Sequence, residues 1–134
     1  MARSGYSDDC DSNVCYLWDS IVTRAAKGKR GQRMLRDLAA ALDAMPRKRL
    51  IKGLFQAHDG EVCALGALGV HRGVDMEDDD CWLEPEAAKA AAKAFDVAPS
   101  LAAEVMHIND DSPRETPEQR WQHVREWVDR QLVE

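Results

Sequence analysis

The chain has 134 residues, of which 45% are hydrophobic, and its formal net charge is −6. This length fits one compact domain, and the hydrophobic content is too high for an intrinsically disordered chain. No stretch approaches the roughly 20 apolar residues that a membrane-spanning helix needs, and residues 1–6 lack the apolar core of a signal peptide. We therefore expect a cytoplasmic globular protein without membrane contact, whose four cysteines are free thiols.

Basic residues are concentrated in one part of the chain. Residues 24–52 contain ten of the 18 Lys and Arg residues against two acids, so they carry a formal charge of +8. The other 105 residues have eight basic residues against 22 acids and carry −14. Clustered cations raise the local electrostatic potential, which predicts an anionic partner without identifying it.

Alanine and leucine dominate the apolar residues and β-branched runs are nearly absent, which favours helices over strands. We predict a mainly α, single-domain compact bundle of about five to six helices over residues 15–134, preceded by a flexible N-terminal arm at residues 1–14. The first predicted helix covers residues 16–27 and ends before Gly28. The second covers about residues 32–45 and ends before Pro46.

The middle of the chain is less clear, because the apolar run at residues 62–70 has a length that fits either a strand or a buried helix. We favour a helix and leave open a short β-hairpin around residues 54–65, where Asp59-Gly60 signals a turn. Residues 73–83 predict an exposed acidic loop. Three helices should follow, at residues 85–95, at 100–108 and after Thr116, which with Gln119 forms the pattern of a capping box.

The segment that joins the first two predicted helices is the main candidate site. Backbone N–H groups at the start of the second helix would add partial positive charge to the cations of residues 27–33. The segment lacks the Walker A pattern and its magnesium-holding hydroxyl. The predicted phosphate-binding residues are Lys27, Lys29, Arg30, Gln32, Arg33 and Arg36. The alternative interpretation is a tight turn between two helices that requires glycines.

A secondary basic cluster lies at the other end of the second predicted helix, roughly 20 Å away. Together the two clusters would follow a nucleic-acid backbone or bind an acidic protein face. Few aromatic residues lie nearby, so base stacking is not favoured. The alternative is a solvated helix end. The cluster consists of Arg47, Lys48, Arg49 and Lys52.

Two other motifs point away from a specific activity. Residues 92–100 resemble the turn of a helix-turn-helix, but residues 101–108 contain no Lys or Arg to read a groove, so two core helices explain them better. The cysteines and histidines lack zinc-site spacing, and we predict neither a metal nor a cofactor. Cys63 falls where a helix would begin, but no base for it is identified, and a small buried thiol is the favoured interpretation.

Three short segments resemble uncharacterised small bacterial, phage and prophage proteins. They are D-G-E-V-C-A-L-G-A-L at residues 59–68, Asn109-Asp110 followed by T-P-E-Q-R-W at 116–121, and G-K-R-G-Q at 28–32. The resemblance implies a viral or mobile-element origin and a host-cytoplasm setting, and it transfers no catalytic residues.

These patterns support two main hypotheses of function. The first is a non-enzymatic, phage-type accessory protein that binds a phosphate-bearing ligand, nucleic acid or nucleotide, through its basic helical hairpin. The alternative is an anti-defence or host-takeover effector that inhibits a host protein by direct binding. An enzyme that uses Cys63 ranks last, because neither a base nor an oxyanion-stabilising element is identified. The oligomeric state stays open.

Overall fold

A computed structural model describes residues 12–52, 55–57, 59–74, 86–110 and 116–133. Within these ranges the chain forms six helices and no regular strand, which confirms the prediction of a mainly α bundle of five to six helices. The helices are α1 Ser12–Lys27, α2 Lys29–Ala44, α3 Ala64–Arg72, α4 Glu86–Phe95, α5 Pro99–Asp110 and α6 Pro117–Gln131. No helix in the described ranges is both long and apolar enough to cross a membrane.

Helix α2 is amphipathic and packs against α1, α3 and α6. Apolar residues at helical spacing form its buried face, since Met34, Leu35, Leu38 and Leu42 are all inaccessible to solvent. Helix α6 runs antiparallel to α2, because hydrogen bonds join Gln32 to the end of α6 and Leu42 to its beginning. The opposite face of α2 is left open to solvent.

Helix α5 lies at the centre of the bundle, with every residue from 101 to 109 buried. It packs against α1, α3, α4 and α6. A groove-reading helix must be exposed, so burial of α5 excludes the helix-turn-helix interpretation of residues 92–108. The pair α4–α5 is a core unit, as the absence of cations in residues 101–108 indicates.

The structure defines the start of α3 and the start of α1, which the sequence left open or placed later. The run at residues 62–70 is helical from Ala64, and the described part of the possible hairpin at 54–65 has a single antiparallel bridge, between Gln56 and Val62; residues 54 and 58 lie outside the described residues. Residues 12–14 belong to α1 instead of the predicted arm, while residues 1–11 and 75–85 lie outside the described residues. The capping box of α6 is present, with Thr116 accepting from the Gln119 amide at 3.1 Å and the reciprocal bond at 3.0 Å.

Candidate anion-binding site

The α1–α2 corner is tighter than the sequence predicted. Helix α2 begins at Lys29, not near residue 32, so Gly28 alone connects the two helices, in an extended conformation. Gly31 therefore lies in the first turn of α2, against the end of α1. A Cβ atom at this position would lie 2.0 Å from the carbonyl oxygen of Ala25 and 2.9 Å from that of Ala26. Gly31 thus allows the backbones to approach closely, as the tight-turn interpretation requires.

This corner brings four of the predicted cations into one surface cleft. Lys29, Arg33 and Arg36 follow the i, i+4, i+7 spacing of one helix face, and they rise about 10.5 Å along α2. Lys27, the last residue of α1, completes the group. Together with Gln32 and Val133 these residues line a cleft of about 400 Å³. We call Lys27, Lys29, Arg33 and Arg36 the cation cleft.

The charges of the cation cleft are not neutralised by the rest of the described structure. All four side chains are exposed, and none has an ion pair or side-chain hydrogen bond with another described residue. The first backbone N–H groups of α2 lie at the same corner, because the helix begins at Lys29. The N-cap residue, Gly28, forms no side-chain hydrogen bond with them. The helix dipole adds partial positive charge there.

Gln32 lies beneath this cleft in a different role from the predicted one. Its side chain is only 5% exposed. The Nε2 group donates to the carbonyl oxygens of Ala26 at 2.7 Å and Gln131 at 2.9 Å, and the Oε1 atom accepts from the Val133 amide at 2.8 Å. Both donors are used, so Gln32 joins α1, α2 and the chain after α6 and has no amide hydrogen left for a ligand.

Arg30 is also separated from the cation cleft. One residue after Lys29 it is turned about 100° around α2, into a neighbouring cleft of about 240 Å³ that is lined by Arg24, Lys29 and Ala98 among others. There its guanidinium lies 3.2 Å from the carboxylate of Asp96, with both side chains more than half exposed. Such an exposed ion pair holds Arg30 weakly.

The secondary basic cluster is divided between structural and exposed residues. Lys48 donates to the carbonyl oxygens of Asp43 and Met45 at the end of α2, and its Nζ lies 5.8 Å from the centroid of the Trp121 ring. Arg49 forms an ion pair with Glu61 at 3.3 Å. Within this cluster only Arg47 and Lys52 are exposed and have neither an ion pair nor a side-chain hydrogen bond to another described residue. The cluster is therefore not a second site of four free cations.

The far end of α2 carries an acid on the face that bears the cation cleft. Asp43 lies seven residues beyond Arg36 and accepts two hydrogen bonds from Arg125, at 2.9 and 3.2 Å. These bonds lower the pKa of Asp43 below its ordinary value. Arg125 also contacts Asp129 at 2.7 Å. Along α2, the cations without an ion pair to another described residue thus lie in its N-terminal half.

Two of the three short sequence segments contact each other through Asn109 and Ala64, where they serve the fold. Asn109 is 1% exposed; its Oδ1 accepts from the Ala64 amide at 3.0 Å, and its Nδ2 donates to the Ile51 carbonyl at 2.9 Å. Arg120, also buried, donates to the Leu50 carbonyl at 2.9 Å. These bonds fix Leu50 and Ile51 after α2 and the first residue of α3. No local pattern in the sequence predicts the role of Asn109, because its partners are 45 and 58 residues away.

Cys63 is the N-cap of α3. Its sulfur accepts from the Gly66 amide at 3.4 Å, and the residue is 1% exposed. A nucleophile must reach its substrate, so burial argues against the Cys63 enzyme hypothesis and supports the buried-thiol interpretation. Among the described residues, no three His, Cys, Asp or Glu side chains are grouped as metal ligands would be.

Comparison of the chain with protein-family models, curated proteins and solved structures gives no match.

Proposed function

We propose that this protein is a non-enzymatic binding protein that holds a phosphate-bearing ligand in the cation cleft. The observation that carries the proposal is the exposed group of four cations without ion pairs to other described residues, in a chain with more acids than bases. Guanidinium groups bind phosphate oxygens in pairs, and lysines add point charges. The α2 N-terminus contributes further positive potential.

The spacing of these cations supports a functional role over a solvated helix face. Lys29 and Arg33 are four residues apart and Arg33 and Arg36 three, so both pairs place like charges side by side on α2. Each such pair costs a helix about 0.2–0.5 kcal/mol. Any neutral polar residue would solvate this face without that cost. An anion bound between the cations offsets the repulsion between their like charges. Anion binding therefore explains why cations occupy neighbouring positions on this face.

The cleft favours binding without chemistry. Its lining residues offer ammonium and guanidinium groups, one amide already hydrogen-bonded, and the aliphatic Val133. They include no carboxylate, imidazole, hydroxyl or thiol that would act as a general base or a nucleophile. The likeness to phage and prophage proteins supports a setting in an infected bacterial cytoplasm as part of the same proposal.

The test is a calorimetric titration with inorganic tripolyphosphate at low salt. The wild-type chain should bind it, and Arg33→Gln/Arg36→Gln should weaken binding by about 30-fold, since the two lost phosphate contacts are worth about 1 kcal/mol each. Arg47→Gln, an exposed cation outside the cleft, is the control and should bind like the wild type. Absence of binding, or equal loss in both variants, would overturn the proposal.

A protein partner is the alternative, supported by an apolar depression at the opposite end of α2. It has a volume of about 210 Å³ and is lined mainly by Ala41, Ala44, Met45, Ala67 and Val70. Val70 is 63% exposed, which is high for a large aliphatic residue. On this alternative, Val70→Lys would abolish capture of a host protein from a nuclease-treated lysate, whereas Arg33→Gln/Arg36→Gln would not.

A further inference from the structure

The basic surface at the α1–α2 corner is longer than the cation cleft alone. Lys29 lines both the cation cleft and the neighbouring cleft that contains Arg24 and Arg30. Arg24 is exposed and has no ion pair to another described residue. The two clefts therefore form one basic track across the corner, which we define by Arg24, Lys27, Lys29, Arg30, Arg33 and Arg36.

We infer that the ligand of this track is the backbone of a nucleic-acid duplex, read without sequence preference; this inference rests on the proposed function. The α2 part of the track rises about 10.5 Å, and phosphates of one strand of B-DNA follow each other every 3.4 Å or so along the duplex axis. The α2 stripe alone thus faces about three phosphates of one strand. A compact mononucleotide would occupy one of the two clefts and leave the other empty.

The lining of the clefts favours a duplex over a single strand or a nucleotide. Neither cleft is lined by an aromatic side chain on which an unpaired base would stack. The one side-chain amide, Gln32, is committed to the fold, so no donor–acceptor pair remains to read an adenine edge. A duplex keeps its bases inside and presents phosphates, which match the groups that the track offers.

Asp96 provides a test in which affinity should rise. It is the residue after α4, with a φ of 56°, and its carboxylate is paired with Arg30 beside the track. Asparagine adopts positive φ readily, so Asp96→Asn should keep this conformation while freeing Arg30 and removing a negative charge. A gain in affinity is informative, because partial misfolding produces only losses.

The experiment measures the anisotropy of short labelled duplexes of DNA and RNA, the corresponding single strands, and tripolyphosphate as competitor. Five free cations predict a log–log salt slope of about −4.5, a loss of about 500-fold between roughly 50 and 200 mM salt. Arg24→Gln should make the slope shallower by about 0.9 and leave tripolyphosphate affinity unchanged. Asp96→Asn should tighten duplex binding by on the order of threefold at the lower salt, and Arg47→Gln should change nothing.

The outcomes separate the inference from the proposed function. Tighter binding of single strands than of duplexes, or an unchanged slope for Arg24→Gln, would overturn the inference while tripolyphosphate binding upholds the cation cleft. Failure of the wild-type chain to bind either duplex or tripolyphosphate would overturn both. Comparison of the affinities for the DNA and RNA duplexes shows which phosphodiester backbone the track prefers. Binding of either duplex supports the inference.

Discussion

Substitution Gly31→Ala tests the tight α1–α2 corner that assembles the cation cleft. The added Cβ would lie 2.0 Å from the Ala25 carbonyl oxygen, whereas ordinary contacts begin at 3.4 Å, so α2 would have to move by about 1.4 Å. The carbonyl oxygens of Ala25 and Ala26, which the new Cβ would meet, are backbone atoms and cannot rotate away as a side chain does. Overpacking of this kind costs about 3 kcal/mol, and the better helix propensity of alanine returns about 1 kcal/mol.

The expected net destabilisation is therefore about 2 kcal/mol, or a fall in the melting temperature of about 6 °C for a chain of this size. Thermal unfolding followed by far-ultraviolet circular dichroism measures it. Gly28→Ala is the control: the nearest atoms would lie 3.6 Å from its Cβ, so its cost should stay below about 1 kcal/mol. A Gly31→Ala variant as stable as the wild type would refute the close approach of the two helices.

Three further predictions concern Gln32, Cys63 and Asp43. Gln32→Leu removes one buried and two partly buried hydrogen bonds, so urea unfolding should show a loss of about 2–3 kcal/mol with unchanged tripolyphosphate affinity; weaker binding at full stability would make Gln32 a ligand residue after all. In a variant that retains Cys63 alone among the cysteines, Ellman's reagent should react only as the protein unfolds, and rapid labelling of the native state would contradict the burial. Asp43 has a lowered pKa, so its bond to Arg125 stabilises the fold above the ordinary value of 3.8 and ceases to do so as the pH falls through the folded-state pKa. Asp43→Asn should accordingly cost at most about 0.5 kcal/mol near neutral pH and nothing in acid; a cost that persists in acid would contradict this linkage.

The elements that the sequence predicted well are those with local causes. The capping box of α6 depends on Thr116 and Gln119, three residues apart, and both bonds are present. The buried stripe of α2 follows from helical periodicity, which needs no knowledge of the partner helices. The interpretation of α5 as a core helix depended on composition instead, because residues 101–108 contain no Lys or Arg and are mostly apolar.

The place of Arg30 outside the cation cleft follows from the start of α2. Gly28 offers no side-chain cap and Gly31 looks like a second turn residue, so the sequence gives no clear signal that the helix begins at Lys29. In a loop, the directions of successive side chains are undefined. Once the helix includes residue 29, its 100° rotation per residue separates Arg30 from the cation cleft. The residue at which α2 begins therefore decides which cations face the cation cleft.

Other roles depend on contacts that no local pattern contains. Gln32 bonds to Gln131, which is 99 residues away, so its burial is decided by the packing of α6 against α2. Lys48 was predicted as one of four basic surface residues, but it satisfies carbonyl groups that α2 leaves free at its C-terminal end. Charge clusters in a sequence thus overstate the number of cations that remain available to a ligand.

The most direct test of the cation cleft compares two double charge reversals in one binding measurement. The first variant is Arg33→Glu/Arg36→Glu, in the cation cleft. The second is Arg47→Glu/Lys52→Glu, beyond the other end of α2, and it changes the net charge by the same amount. If the cleft holds the phosphates, the first variant should lose duplex and tripolyphosphate binding by about 100-fold or more, which corresponds to about 2.7 kcal/mol, while the second should stay within about threefold of wild type because it acts only through long-range charge. Equal losses in the two variants would show that net charge alone attracts the ligand and would contradict a site at the cation cleft.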